Sequence, residues 1–512
     1  MAVRPRTWII AVAAVVAVCC VGGIAGVAVL LRTSTVDTRG DVEFVNPLAI
    51  PPLAPSTIDE QGRRVFDLDA APGRHDFGER ASRSGGLSGS GEVQTWGFNG
   101  DYLGPTLRAS RGEEVVVNVH NGLDEETTVH WHGMHLPAAM DGGPHTPVAP
   151  GTTWSPQWLI DQPAATLWYH PHPHGQTAEH VYRGLAGLFL VDDPATEVAA
   201  LPNRYGVDDI PVVVQDKNFD GDRLDFGQSM LGMGILGDSI VVNGTLAPYQ
   251  EVTTERVRLR LLNGSNARVY QFGFADGRDF ALVGTDGGLL PAPVTTDRIM
   301  LSPAERAEIV VTVRPGERAV LRSNPPSLGT PLSRFYGGSD GFDVLELRAG
   351  QTLDPSPAVP DRLVPVPALD ADAAAQTRSV RLTDQGINNR SMDMSRIDAT
   401  MAPGATERWR VNNADGKPHS LHIHGVSFQV TSIDGAAPPA HLRGWKDTVY
   451  VAPEVDEYEL VIRFPEYTDP TIPYMYHCHV LYHEDQGMMA QFVVVEPGDQ
   501  VAPLSVQHPH HH

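Results

Sequence analysis

The chain has 512 residues and a formal charge of −24, long enough for several domains and too acidic to present the basic face that nucleic-acid binding requires. Its 50 glycines and 42 prolines, with few runs at helical spacing, point to a β-rich, turn-rich fold. Of the three cysteines, Cys19 and Cys20 lie in an apolar N-terminal run, so Cys478 stands alone in the folded part and an internal disulfide there is excluded.

At the N-terminus Arg4 and Arg6 precede an uncharged stretch from Trp8 to Leu31, and Arg32 closes it. That stretch is long enough to cross a bilayer, and the leading positive charge places the following chain outside the cytoplasm. Residues 1–35 therefore predict a membrane anchor on an extracytoplasmic protein. The alternative is an export signal, cleaved to release a secreted one.

Three related segments follow, beginning at Phe98, Val242 and Asn388. Each passes from an Asn-containing start through a short polar link into an alternating strand, such as Val115-Val117-Val119 or Val257-Leu259-Leu261, and the strands end at Asn121, Asn263 and Asn412. The repeat predicts an all-β chain of three consecutive β-sandwich domains, at 58–197, 198–352 and 376–500. Residues 353–375, rich in Pro and Ala, predict an extended linker. Residues 501–512 form a His-containing tail to which no function is assigned.

Histidines occur two apart in His130/His132, His170/His172, His422/His424 and His477/His479, two pairs in each outer domain and none at the matching place in the middle one. Residues two apart on a strand face the same way, so each pair aims two imidazoles into one space, and imidazole suits copper, iron or zinc. The same alternation turns Cys478 away from His477 and His479. A lone cysteine among histidines is a metal thiolate or a nucleophile. On a strand the flanking imidazoles point away from the sulfur, which disfavours the nucleophile. Cys478 and His483 with an upstream histidine make a His₂Cys set, with Met488 as a weak axial ligand, the pattern of a blue copper site. His419 is the natural upstream ligand. Zinc, satisfied by four ligands, leaves the other histidines unexplained.

HWHG from His130, WYHPHPHG from Trp168, HSLHIHG from His419 and HCHVLYHEDQGMM from His477 resemble the four copper-binding motifs of the three-domain multicopper oxidases, of the bacterial laccase and cuprous-oxidase branch. The resemblance covers nearly the whole chain after residue 58 and implies three cupredoxin-like Greek-key domains holding four copper ions. It implies a type 1 copper on His419, Cys478, His483 and Met488, and a type 2 copper on His130 and His422. It further implies two type 3 coppers on His132, His170, His172, His424, His477 and His479. His174 has no counterpart among the family's ligands. Asp141 and Glu484 match acidic positions that the family uses for proton delivery, the alternative being solvated surface acids. Asp415 resembles an acid bordering the type 1 site, the alternative being a turn aspartate.

The implied reaction is four-electron reduction of O₂ to water, driven by one-electron oxidation of a small reducing substrate. Copper-efflux relatives carry a methionine-rich insert near the type 1 site. This chain offers only Met392, Met394 and Met401 in the third domain and Met230 and Met233 in the second, with Gly-Lys-Pro between Asp415 and His419. An open type 1 pocket is therefore expected, favouring phenols and aromatic amines. Oxidation of Cu(I) or Fe(II) in copper tolerance or metal homeostasis is the alternative. A monomer is expected, with no nucleic-acid partner and a membrane contact only through the N-terminal segment. Proteins of this fold that have lost copper ligands serve as structural or division factors, and this chain has lost none.

Overall fold

A computed structural model of the chain describes residues 35–82, 86–89, 91–195, 198, 200–227, 230–499 and 501. Nearly all of the expected N-terminal anchor, and all but Val501 of the tail, lie outside the described residues. Among those described, no helix is long and apolar enough to cross a membrane.

Six sheets of four or more strands stack in three pairs. The first pair joins an eight-stranded sheet, built around Arg64–Asp76 and Glu114–Asn121, to a four-stranded one. The smaller sheet runs in the order Leu107–Ser110, Gly187–Asp192, Ala165–His170, His130–His132. The second pair has seven and six strands, with Arg256–Asn263 beside Arg306–Thr312 in the larger sheet. The third has two five-stranded sheets, and one of them carries Met489–Val494, Asp469–Cys478, His419–Ile423 and Thr448–Val451 in that order. The chain is all-β, and among the described residues short helices occur only at Thr177–Arg183 and Leu481–Asp485, besides 3₁₀ turns.

Alternating apolar residues fill each sandwich. Phe66, Val117, Trp131 and Phe189 are buried together in the first core, Leu259, Phe272, Ile309 and Leu345 in the second, and Trp409, Leu421, Phe428 and Phe492 in the third. Contacts between the units tie them together. Met233 of the middle unit packs in the same buried cluster as Cys478 and Met488. Asp485, at the end of the second helix, accepts from the backbone N–H groups of Thr177 (2.9 Å) and Ala178 (3.0 Å), the orphan donors at the start of the first helix.

The asparagines ending the repeated strands share one task. Asn121 Nδ2 donates to the carbonyls of Glu125 and Val148, and its Oδ1 accepts from the N–H of Leu123. Asn263 does the same with the carbonyls of Arg268 and Leu301 and the N–H of Ser265. In the third unit the expected residue was Asn412, but its neighbour Asn413 takes the role, donating to the carbonyls of Lys417 (2.5 Å) and Val451 (3.0 Å) and accepting from Gly416. The strand runs one residue further, to Asn413. Each corner satisfies backbone groups that the strand end leaves unpaired, and the outer two fix the exits toward His130 and His419.

Replacing the fully buried Asn263 by leucine should cost roughly 3 kcal/mol, because two buried carbonyls lose their donor. Urea unfolding of the copper-free protein measures this, and an unchanged midpoint would show that the corner carries no stability.

Candidate metal centres

Strand pairing brings the four histidine pairs together. His130 lies opposite His170 in the first unit, and His422 lies opposite His477 in the third, each pair on antiparallel neighbours. All eight imidazoles are at most 1 % exposed and meet in one cluster between the two outer units. Their nitrogens approach across it. His172 Nε2 and His424 Nε2 are each 3.1 Å from His477 Nε2. His130 Nε2 is 3.4 Å from His422 Nε2, and His170 Nε2 is 3.4 Å from both His479 Nε2 and His132 Nδ1.

The outward nitrogens explain why the inward ones are free to bind. His130 Nδ1 donates to the carbonyl of Asp141 (2.9 Å), His170 Nδ1 to that of Pro171 (2.8 Å) and His422 Nδ1 to that of Asp447 (2.9 Å). His424 Nδ1 donates to Asp141 Oδ2 at 2.7 Å, and His477 Nδ1 lies 3.0 Å from Glu484 Oε2. With a proton held outside, each of these rings presents a lone pair to the interior. His132 is turned the other way, its Nε2 3.1 Å from Asp447 Oδ1 and its Nδ1 facing in.

Burial keeps His132, His170, His422, His424 and His479 well below the ordinary imidazole range, and drops His172 to about 3. Converging lone pairs on neutral, desolvated rings repel one another, and a bound cation relieves that repulsion. The cluster thus fits metal ions held by imidazole.

The second centre lies on the opposite face of the same strand. Cys478, fully buried, places Sγ 3.4 Å from His419 Nδ1 and 3.6 Å from His483 Nδ1. His419 is three residues before His422, an odd step along the strand, so it shares a face with Leu421, the cross-strand partner of Cys478. His419 Nε2 donates to Asp415 Oδ1 at 2.9 Å, so Asp415 orients this ring. Burial lowers the His419 pKa, but Cys478 and Asp415 outweigh it and push it up to about 9. Met488 is buried beside the centre, its carbonyl accepting from the Cys478 N–H and its own N–H donating to the His483 carbonyl. Met489 instead pairs in register with His477. The soft thiolate and two imidazoles, with Met488 in the same buried cluster, suit copper.

Among the described residues, the middle unit approaches this centre through one turn. His483 is 5 % exposed, and its Nε2 donates at 2.9 Å to the carbonyl of Gly232, from a 3₁₀ turn of the middle unit. The cap comes from another domain, so no local pattern around His483 announces it. His174 is exposed and joins neither centre.

Asp141 and Glu484 are buried against the cluster rather than solvated, at 1 % and 2 % exposure. Burial alone would raise the Glu484 pKa, but His172 and His477 hold the carboxyl well below its usual range. Two further residues at the cluster carried no recognised sequence signal, Asp447 and its partner Arg306, both fully buried. The available hint is a charged pair, Lys446-Asp447, opening the buried strand Thr448–Val451.

His132, His170, His172, His422, His424 and His479 make the copper-free protein acid-sensitive. Their folded pKa values lie below the ordinary 6.5, so the unfolded chain binds protons first as pH falls. Their contribution is complete above about pH 6.5 and is lost toward lower pH, at about 1.4 kcal/mol per pH unit for each ring that stays neutral in the fold. His419 has the opposite sign but is a single group. Urea midpoints of the copper-free protein should therefore fall steeply between about pH 7 and pH 5. A flat profile would mean the rings are not held neutral.

Models of the multicopper oxidase family match residues 83–196, 216–319 and 360–498. The cell division protein FtsP of Xenorhabdus nematophila is 38 % identical over 464 residues, covering 88 % of this chain and 93 % of that protein. A bacterial laccase-like multicopper oxidase from Ochrobactrum sp., described with oxidase activity toward lignin model compounds and lignosulfonate, superposes with a TM-score of 0.78 at 37 % identity, covering 88 % of this chain and 100 % of that one. A laccase from Pediococcus acidilactici gives a TM-score of 0.79 at 34 % identity, over 90 % of this chain and 95 % of that one. With three matching models in order along the chain and two centres suited to copper between and within the outer units, this chain belongs to the three-domain multicopper oxidase family.

Proposed function

We propose that the chain is a laccase-like oxidase that couples one-electron oxidation of phenols or aromatic amines to reduction of O₂ to water. The observation that carries this reading is the completeness of the donor set: ten histidines, Cys478 and Met488 are all present and all buried at the two centres. In this reading His419, Cys478, His483 and Met488 hold a type 1 copper. His130 and His422 hold a type 2 copper, and His132, His170, His172, His424, His477 and His479 hold two type 3 coppers. Bound copper would supply one-electron uptake at the thiolate centre and four-electron reduction of O₂ at the cluster.

The protein supplies the wiring and the protons. Cys478 is bonded through the chain to His477 on one side and His479 on the other, so the two centres are joined by a single peptide unit each way. Asp141 Oδ2 and Glu484 Oε2, against His424 and His477, are the groups placed to hold and hand on protons beside the cluster. A cavity of about 950 Å³ where the three units meet is walled in part by His135, Gly425 and Trp445, and no cluster histidine lines it. At the thiolate centre, Leu231 is 51 % exposed and adjoins the Gly232 carbonyl that caps His483. An apolar residue there favours an aromatic donor over a hydrated metal ion, and Cu(I) or Fe(II) oxidation is the alternative.

The likeness to FtsP supports a second reading, a role in cell division without oxidase chemistry. Copper loading separates the two. The laccase reading expects four coppers per chain, an intense blue band and oxygen uptake with a phenol that exceeds uptake with Cu(I) or Fe(II). Cys478→Ser should abolish both the band and phenol oxidation. A colourless protein that binds no copper would favour the division reading, and phenol oxidation undiminished in Cys478→Ser would remove the thiolate centre from the electron path.

A further inference from the structure

Among the cluster imidazoles whose outer nitrogen is held by the protein, His132 alone faces inward through Nδ1. Its Nε2 is 3.1 Å from Asp447 Oδ1 and 3.1 Å from Thr448 Oγ1, while the Thr448 hydroxyl donates to that same carboxylate oxygen at 2.9 Å. The carboxylate is fixed in turn by Arg306 of the middle unit, through NH1 to Oδ1 at 2.7 Å and NH2 to Oδ2 at 2.5 Å. Arg306 reaches all three units, donating also to the carbonyls of Thr166, Ala304 and Asp286. Gly133, directly after His132, lets this pair come close. A Cβ there would sit 2.6 Å from Asp447 Oδ2 and 2.9 Å from Arg306 NH2.

We propose that Asp447, held by Arg306 of the middle domain, is the positioning residue that keeps the His132 proton on Nε2 and so leaves Nδ1 free to face the metal cluster. The carboxylate has only acceptors to offer, so the ring nitrogen beside it must donate. With the Nε2 proton held by the carboxylate, the lone pair of the neutral ring lies on Nδ1, the nitrogen that faces His170 Nε2 at 3.4 Å. The middle domain, which carries none of the proposed copper ligands, thereby sets the chemistry of one of them. The role at copper rests on the oxidase reading above, whereas the tautomer does not.

The test is Asp447→Leu, which keeps the bulk and removes the acceptor. In the parent Asp447 Oδ1 accepts both from Arg306 and from His132 Nε2, and leucine leaves the His132 proton unheld. Nitrogen NMR of histidine-labelled, copper-free protein should show His132 protonated at Nε2 in the parent and the proton shared between both nitrogens in the variant. Titration with copper should show cluster affinity reduced at least about tenfold, with the blue band of the Cys478 centre retained. Thr448→Val keeps the carboxylate and should leave the proton on Nε2, and it decides the matter even if the leucine variant fails to fold. A proton that moves in Thr448→Val, or stays on Nε2 in a folded Asp447→Leu that binds copper like the parent, overturns the proposal. If the parent itself binds no copper, the oxidase reading fails while the tautomer result still judges Asp447.

Discussion

Eight imidazoles buried against one another, with ring nitrogens converging to 3.1–3.4 Å, are the constraint on which the rest of the structure depends. Desolvated rings arranged this way are unfavourable without a cation, so the surrounding fold must hold them in place. Each outer unit contributes four, two from each of two strands or their ends. The outward nitrogens of six, all but His172 and His479, are tied by carbonyls and carboxylates, among them Asp141, Asp447 and Glu484. Corner asparagines, interlocked helices and the Arg306 bridge all bear on keeping that geometry.

Strand alternation then gives two centres from one segment. His477 reaches the cluster, and Cys478, on the other face, reaches His419 and His483. The short helix Leu481–Asp485 returns His483 toward the sulfur while placing Glu484 against His477. An odd step from His419 to His422 repeats the division on the neighbouring strand. The thiolate centre and the imidazole cluster are thereby kept on separate faces of one sheet, joined by covalent chain.

Much of this was legible in the sequence because it rests on short-range periodicity. The shared facing of each His-x-His pair and the opposed direction of Cys478 follow from period-two geometry, whereas His419 follows from its place as the upstream histidine and from the family resemblance. The three-unit β architecture followed from the repeated strands. The misses come from contacts between distant segments. Nothing near His483 signals that the Gly232 carbonyl covers it, and no periodicity marks Asp447 or Arg306, whose importance lies in meeting one another across domains. Asn412 and Asn413 are indistinguishable by type, and only the reach of the side chain to the carbonyls of Lys417 and Val451 selects the second.

The central claim is that this chain, similar both to laccases and to proteins named for cell division, holds a complete set of coppers. Anomalous diffraction from crystals of the copper-loaded protein, collected at the copper absorption edge, tests it most directly. One peak should lie among His419, Cys478 and His483, and three should lie within the eight-imidazole cluster. Empty density at the cluster, or a single peak that persists only at the zinc edge, would contradict it.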